Sequence, residues 1–179
     1  MLRSMLNERF KLSAHKEIRE LPVYALVRAR RDGSFGPRLR RSDVSEAACA
    51  ARRAAIRRNE PVAPLQPGAT PVCGTGRSRP GNVMAVGFSV GWLTDTLGPF
   101  VGRVVLDRTG LTGLVDLDLE WTPDPIPQAR PDDPTPLRID PNGPSIFAAL
   151  PEQLGLTLES TKGPVEVLVI DHLEKPTVD

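Results

Sequence analysis

Residues 114–121 read LVDLDLEW and carry the clearest secondary-structure signal in the chain. Val115, Leu117, Leu119 and Trp121 alternate with acidic residues at 116, 118 and 120. Successive side chains of a strand point to opposite faces, so strict alternation predicts one buried and one solvated face. A sheet with one wet face is typical of antiparallel pairing. We therefore expect the acidic residues of this strand to face water.

The sequence predicts a similar succession of one helix and two strands at both ends of the chain. Near the start, residues 2–9 predict a helix, FKLSAH and PVYALVRA predict two strands, and the polar KEIREL connects them. Near the end, Ser145 caps the helical IFAALPEQLG, and the strands LTLES and VEVLVIDHL flank a turn at TKGP. Between these copies, VMAVGF and GRVVLD predict strands on either side of a helix that starts after Ser89, and RTGLTG predicts a turn before LVDLDLEW. The sequence thus predicts an α+β fold of repeated helix–strand–strand units with a mainly antiparallel sheet and Pro-rich loops.

Composition divides the chain into three parts. Residues 1–30 form the first helix–strand–strand unit, which is also where a preceding half of the protein would end. Residues 31–82 hold a basic helix and a Pro-rich loop, and residues 83–179 form an α+β unit. A Pro-rich linker at 122–144 interrupts the last part, because such a composition cannot bury a core.

Charge is distributed unevenly. Residues 1–60 carry 15 Lys and Arg against 7 Asp and Glu, whereas the rest of the chain carries 8 against 15. Asp43 and Glu46 resemble a capping box at the start of the Ala-rich helix VSEAACAARRAAIRR. One hypothesis is that the basic segment 28–58 binds an anionic polymer. Aromatic residues make up only 4% of the chain, too few to interleave with these arginines and stack on bases, which argues against nucleic-acid binding.

Residues 87–91 read GFSVG, the G-x-S-x-G spelling of a hydrolase nucleophile elbow. Asp116 (or Asp107) and His172 follow in the chain order that a serine hydrolase requires, so a Ser89–His172–Asp116 triad is one hypothesis. The elbow normally stands at the top of a mostly parallel sheet, whereas this chain predicts antiparallel strands. Serine is also a preferred helix N-cap. We therefore expect Ser89 to cap the helix that follows it.

The remaining reactive side chains are few. The only histidines, His15 and His172, stand alone in strand-like sequence, and no short pair of metal ligands is visible, so we expect neither a metal nor a cofactor. The two cysteines, Cys49 and Cys73, are too far apart for a C-x-x-C motif. They stand on either side of a Pro-rich loop. In an exported protein they would form a disulfide, and in a cytosolic protein they would stay as buried thiols. No apolar run is long enough to span a membrane, and the first residues lack the apolar core of a secretory signal.

Three long stretches resemble a known family. They are MLRSMLNERFKLSAHKEIRELPVYALV, GRVVLDRTGLTGLVDLDLEW and GPSIFAALPEQLGLTLESTKGPVEVLVIDHLEKP. The family is a large domain-of-unknown-function set of proteins with predicted export signals, much expanded in soil acidobacteria. This chain is similar to its C-terminal part. The resemblance assigns no activity, cofactor or catalytic residue.

The resemblance has three implications. Its members carry an export signal and a further α+β half, so it implies a periplasmic or extracellular protein of which this chain is a fragment, and self-association through exposed apolar surface. Cysteines that flank the variable loop favour a Cys49–Cys73 bridge. Members have Thr or Ser opening the helix after residue 88, which agrees with a capping role for Ser89. Pro151 departs from the family pattern and should kink its helix or end it early. The leading hypothesis is a non-catalytic module that binds a protein or envelope component, with its sheet edge as the binding site.

Overall fold

The structure, a computed structural model, describes residues 2–61, 74–125 and 139–175. The secondary-structure elements of these residues are α1 (Leu2–Phe10), β1 (Ser13–Arg28), β2 (Leu39–Arg41), α2 (Glu46–Arg57), β3 (Thr75–Arg79), β4 (Asn82–Phe88), α3 (Val90–Val101), β5 (Val105–Asp107), β6 (Val115–Glu120), α4 (Ile146–Ala149) with a π-helical turn (Leu150–Leu154), and β7 (Leu156–His172). Helices and strands alternate along the chain, and antiparallel pairs predominate in the sheets. The predicted α+β class is therefore confirmed.

The chain forms two compact units. The first comprises residues 1–23 and 161–179, and the second comprises residues 24–160. One sheet has the strand order β5-β1-β7, in which β1 and β5 are parallel; the other is antiparallel throughout, with the order β2-β6-β4-β3. The long strands β1 and β7 each have residues in both units.

The core of the second unit contains the strand β6. Val115, Leu117, Leu119 and Trp121 are all buried, as the alternation predicts. The expected wet face is wrong at Asp116, which is only 7% exposed. Its carboxylate accepts a hydrogen bond from the Gly87 amide at 2.9 Å and pairs with Arg40 at 2.6 Å. Polar partners of this kind make burial of a charge tolerable, and the sequence pattern contains no sign of them.

The first and last helix–strand–strand copies differ from the prediction. KEIREL continues the strand β1, and TKGP continues β7, so each copy has one long strand where two were expected. KEIREL carries charged residues on both faces of β1, and most of its residues are exposed. Its polarity therefore reflects a strand that is solvated on both faces, and it does not indicate a turn. Pro164 is tolerated because β7 lies at the edge of its sheet.

Helix ends follow local chemistry. Ser45 caps α2, so the predicted capping box at Asp43 is wrong by two residues. Ser145 caps α4 as expected. The α-helix ends at Ala149 and continues as a π-helical turn through Pro151, because proline has no amide hydrogen to donate to the preceding turn.

The RTGLTG segment forms the predicted turn. The Asp107 carboxylate accepts hydrogen bonds from the amide and hydroxyl of Thr109, and the Thr109 hydroxyl accepts one from the Leu111 amide. Gly110 and Gly113 have φ angles of +66° and +83°, which side-chain-bearing residues seldom adopt. The Thr and Gly residues of this segment are thus explained by the backbone conformation of the connection.

Candidate binding surface

The GFSVG segment has a structural explanation at its first and third residues. Gly87 lies at an irregularity in the β4–β6 pairing, with a φ angle of +68°. Its amide donates to Asp116, and its carbonyl accepts from Arg53 at 3.2 Å. Ser89 is the N-cap of α3, and its hydroxyl accepts from the Trp92 amide at 3.4 Å. The predicted capping role of Ser89 is confirmed, and Gly87 serves the β-bulge before it.

Each residue of the hypothetical triad has hydrogen-bond partners of its own. Asp116 is engaged by Gly87 and Arg40, as described above. His172 belongs to the first unit, where its Nε2 lies 2.8 Å from a Glu174 carboxylate oxygen on an exposed surface. Ser89 and Asp116 belong to the second unit. A triad requires the base to bond the nucleophile and the acid to orient the base, and the hydrogen bonds described here serve capping, the bulge and a surface pair.

The basic segment 28–58 uses most of its arginines within the fold. Four of them donate to backbone carbonyls and three pair with carboxylates. The acceptors are Thr109 O for Arg28, Phe35 O for Arg30, Thr112 O for Arg41, Gly87 O for Arg53, Glu120 for Arg38, Asp116 and Asp43 for Arg40, and Glu60 for Arg58. These side chains join loops and strands of the second unit. Each of these seven arginines thus has a partner within the second unit.

Acidic and thiol groups give no metal centre in the described ranges. There, no group of three or more His, Cys, Asp or Glu could hold a metal ion. The carboxylates of β6 are bonded individually, Asp116 as above, Asp118 to Asn82 and Glu120 to Arg38. Cys49 is buried, and Cys73 lies outside the described residues, so the disulfide stays a prediction.

A cavity of about 490 Å³ lies in the second unit beside the ends of β3 and β6. Several polar groups of its wall bond one another: Arg38 pairs with Glu120 at 2.7 Å, and Arg77 donates to Asn82 at 3.1 Å. The Gln153 amide donates to the Glu120 carbonyl and accepts from the Glu120 amide. These groups therefore have hydrogen-bond partners within the chain.

The first unit contains a different kind of surface, which we call the ribbon. It consists of residues 13–23 of β1 and 161–172 of β7. The Glu174 amide donates to the Phe10 carbonyl at 2.8 Å, His15 pairs with Asp171 at 2.9 Å, and Lys16 pairs with Glu166 at 2.6 Å. Partners thus run in opposite directions along the two strands, which are antiparallel.

One face of the ribbon carries three exposed aliphatic side chains together with the Lys16–Glu166 ion pair. Because strand side chains alternate, the Lys16–Glu166 pair places Ile18 on the same face as Leu168 and Ile170. These three side chains are 75%, 65% and 58% exposed. On the opposite face, Val165, Val167 and Val169 are partly buried. Single exposed aliphatic residues are ordinary, but a cluster on one sheet face is typical of an interaction surface.

Sequence reasoning predicted the strand VEVLVIDHL but did not single out these residues. A continuous apolar run usually indicates burial on both faces. Here the run lies in a two-stranded ribbon, so one face is covered and the other is exposed. The charged segment KEIREL, which pairs with this apolar run, could have revealed its exposure, because a strand buried on both faces would not have so charged a neighbour.

Among the described residues, no helix has the length and apolarity needed to cross a membrane. Comparison with curated proteins and with solved structures finds no match. The family model that does match is described as Protein of unknown function (DUF3738) and covers residues 1–173, so the chain belongs to that family.

Proposed function

We propose that this protein is a non-catalytic α+β module that binds a protein or cell-envelope component through the ribbon. The observation that carries the proposal is the shared face of Ile18, Leu168 and Ile170, each more than half exposed. Burying one such side chain in an interface contributes on the order of 1.5–3 kcal/mol. Three such side chains on one strand face are therefore a substantial part of a binding energy.

The edge of β7 supports the same proposal. In the order β5-β1-β7, one side of β7 faces no strand among the described residues. Between Val165 and Ile170 this strand carries a single charge, that of Glu166. Natural edge strands are commonly protected by charges or bulges, and an apolar edge can accept an added strand. An extended partner could thus bond the β7 backbone and cover its side chains.

Binding to a peptide library tests this function. We expect extended peptides with alternating aliphatic residues to be enriched on the immobilised chain, and their fluorescence anisotropy to report binding in solution. The double substitution Leu168→Lys and Ile170→Lys should abolish binding, because it places two charges on the apolar face. Ile56→Lys is the matched control, since Ile56 is 50% exposed on α2 in the second unit. No enrichment, or equal binding by both variants, would refute the proposal.

We also propose that the module works outside the cytoplasm, in the periplasm or beyond the cell. The support is the resemblance to predicted exported proteins together with the expected Cys49–Cys73 bridge, which an oxidising compartment sustains. A peptide map of non-reduced protein expressed in the periplasm should contain the two cysteines in one linked fragment. Two thiols that both react with an alkylating agent would contradict the proposal.

A further inference from the structure

We propose that β7 pairs antiparallel with β7 of a second copy of this chain, about a two-fold axis at Val169. The inference deepens the proposed function, on which it rests, by naming the strand that the ribbon accepts. A two-fold interface is self-complementary, so each contact occurs twice. The sequence of β7 must therefore match itself when reversed.

The choice of β7 over β1 follows from charge. On β1, residues 15–20 read HKEIRE, and four of them are charged Lys, Glu or Arg. Charges at both faces of a strand oppose pairing with an identical strand. On β7, residues 165–170 read VEVLVI with one charge, and the β-branched residues favour pairing.

An axis at Val169 gives every exposed aliphatic side chain at this end of the strand an apolar partner. Leu168 lies opposite Ile170 of the second copy, and Leu173, which is 58% exposed, lies opposite Val165. Glu166, which pairs with Lys16 in its own copy, lies opposite His172 of the second copy, which pairs with Glu174 in its own copy. Opposite charges and aliphatic pairs across strands are stabilising, and each occurs twice here.

Neighbouring registers lack this match. With the axis at Leu168, Glu166 lies opposite Ile170, and Val165 lies opposite Asp171. With the axis at Val167, Glu166 lies opposite Leu168, and Lys162 lies opposite His172. Each of these two registers matches fewer pairs than the axis at Val169, which itself places one carboxylate, that of Asp171, opposite an aliphatic side chain, Val167. In all three registers paired residues have equal parity, so Leu168 and Ile170 of the two copies share one face.

Cysteine cross-linking measures the register. Glu166→Cys and His172→Cys variants carry different affinity tags and are treated with a short bismaleimide. We expect a cross-linked heterodimer when the two variants are mixed. Each variant alone should give none above the parent chain, because the two copies of either residue lie about six residues, roughly 20 Å, apart along the strand. Cross-linking of Glu166→Cys to itself, or none in the mixture, would overturn the proposed register.

A charge exchange tests the same pairs without cross-linking. By sedimentation, Glu166→Lys should weaken dimerisation by about tenfold, since two symmetric pairs change. The double variant Glu166→Lys and His172→Glu should restore it, and circular dichroism checks that each variant is folded. If the parent chain stays monomeric but enriched peptides still bind the ribbon, the proposal that β7 pairs with a second copy is refuted, and the proposed function stands. Loss of both would reject both.

Discussion

At the scale of single residues, the structure explains a motif that resembles a catalytic one. The first glycine of GFSVG serves a bulge whose amide and carbonyl are bonded by Asp116 and Arg53. The serine serves the first turn of α3. The G-x-S-x-G pattern arises here because a strand, a β-bulge and a capped helix follow one another closely in the sequence. The sequence permitted the capping prediction for Ser89, but the partners of Asp116 come from distant segments and could not be predicted.

Replacing Ser89 tests its role directly. Ser89→Ala should lower the free energy of unfolding by about 0.5–2 kcal/mol, because the Trp92 amide loses its acceptor. Ser89→Asn should retain most of the stability, since its side chain can also cap. Chemical denaturation measures both variants. A fluorophosphonate probe that labels the parent chain but not Ser89→Ala would instead indicate a nucleophile.

At the scale of elements, the joints between helices and strands repeat one geometry. Lys11, Gly102 and Gly155 each have a positive φ angle between a helix and the strand that follows it. The first and last of these residues lie in the helix–strand–strand copies that the sequence predicts at the two ends of the chain. The lengths of β1 and β7 could not be predicted, because polarity and proline mark turns in compact domains but are also tolerated at exposed edges.

Two of these glycines form a matched pair. Gly102 and Gly155 have φ angles of +69° and +70°, but a Cβ on Gly102 meets nothing within 4 Å, whereas one on Gly155 lies 2.7 Å from the Gly36 amide nitrogen. Both alanine substitutions should cost about 1–2 kcal/mol for the backbone conformation. Gly155→Ala should cost at least about 1 kcal/mol more because of the clash. Equal losses of unfolding free energy would show that the strand joint is not close-packed.

The pairing of His15 makes the ribbon sensitive to pH. A hydrogen bond to Asp171, with help from Glu17, raises the pKa of His15 above its ordinary value of 6.5. When folding raises the pKa of a group, protonation of that group stabilises the folded state. This stabilisation is fully present at pH values below the pKa of the unfolded state, and it is lost as the pH rises through the pKa of the folded state. Hydrogen exchange of the ribbon amides, corrected for intrinsic rates, should thus be faster at about pH 8 than at about pH 5.5. His15→Gln should remove the difference; an unchanged difference would contradict the assignment.

At the scale of the whole molecule, most of the basic side chains that make the sequence asymmetric in charge have partners within the fold. The arginines of segment 28–58 hold carbonyls and carboxylates of the second unit. Composition revealed the number of charges but not their partners, which are mostly distant in sequence. The apolar face of the ribbon was hidden from sequence reasoning for the opposite reason, because its residues look like a core.

Binding to a polyanion separates these two surfaces. We expect only weak binding of the chain to polyphosphate, without the steep loss on added salt that a protein neutralising many phosphates shows. Anisotropy titrations at several salt concentrations measure the slope. A slope that corresponds to six or more phosphate contacts would make the basic segment the binding surface.

The location of partner binding tests the account most directly. Amide hydrogen exchange should be recorded on the full chain with and without a library-enriched peptide at saturation. We predict slower exchange at residues 165–171 of β7, with little change around Gly87–Gly91 or the cavity at Arg77 and Asn82. Protection at either of those places, with the amides of β7 unchanged, would contradict the claim that this protein binds through its ribbon.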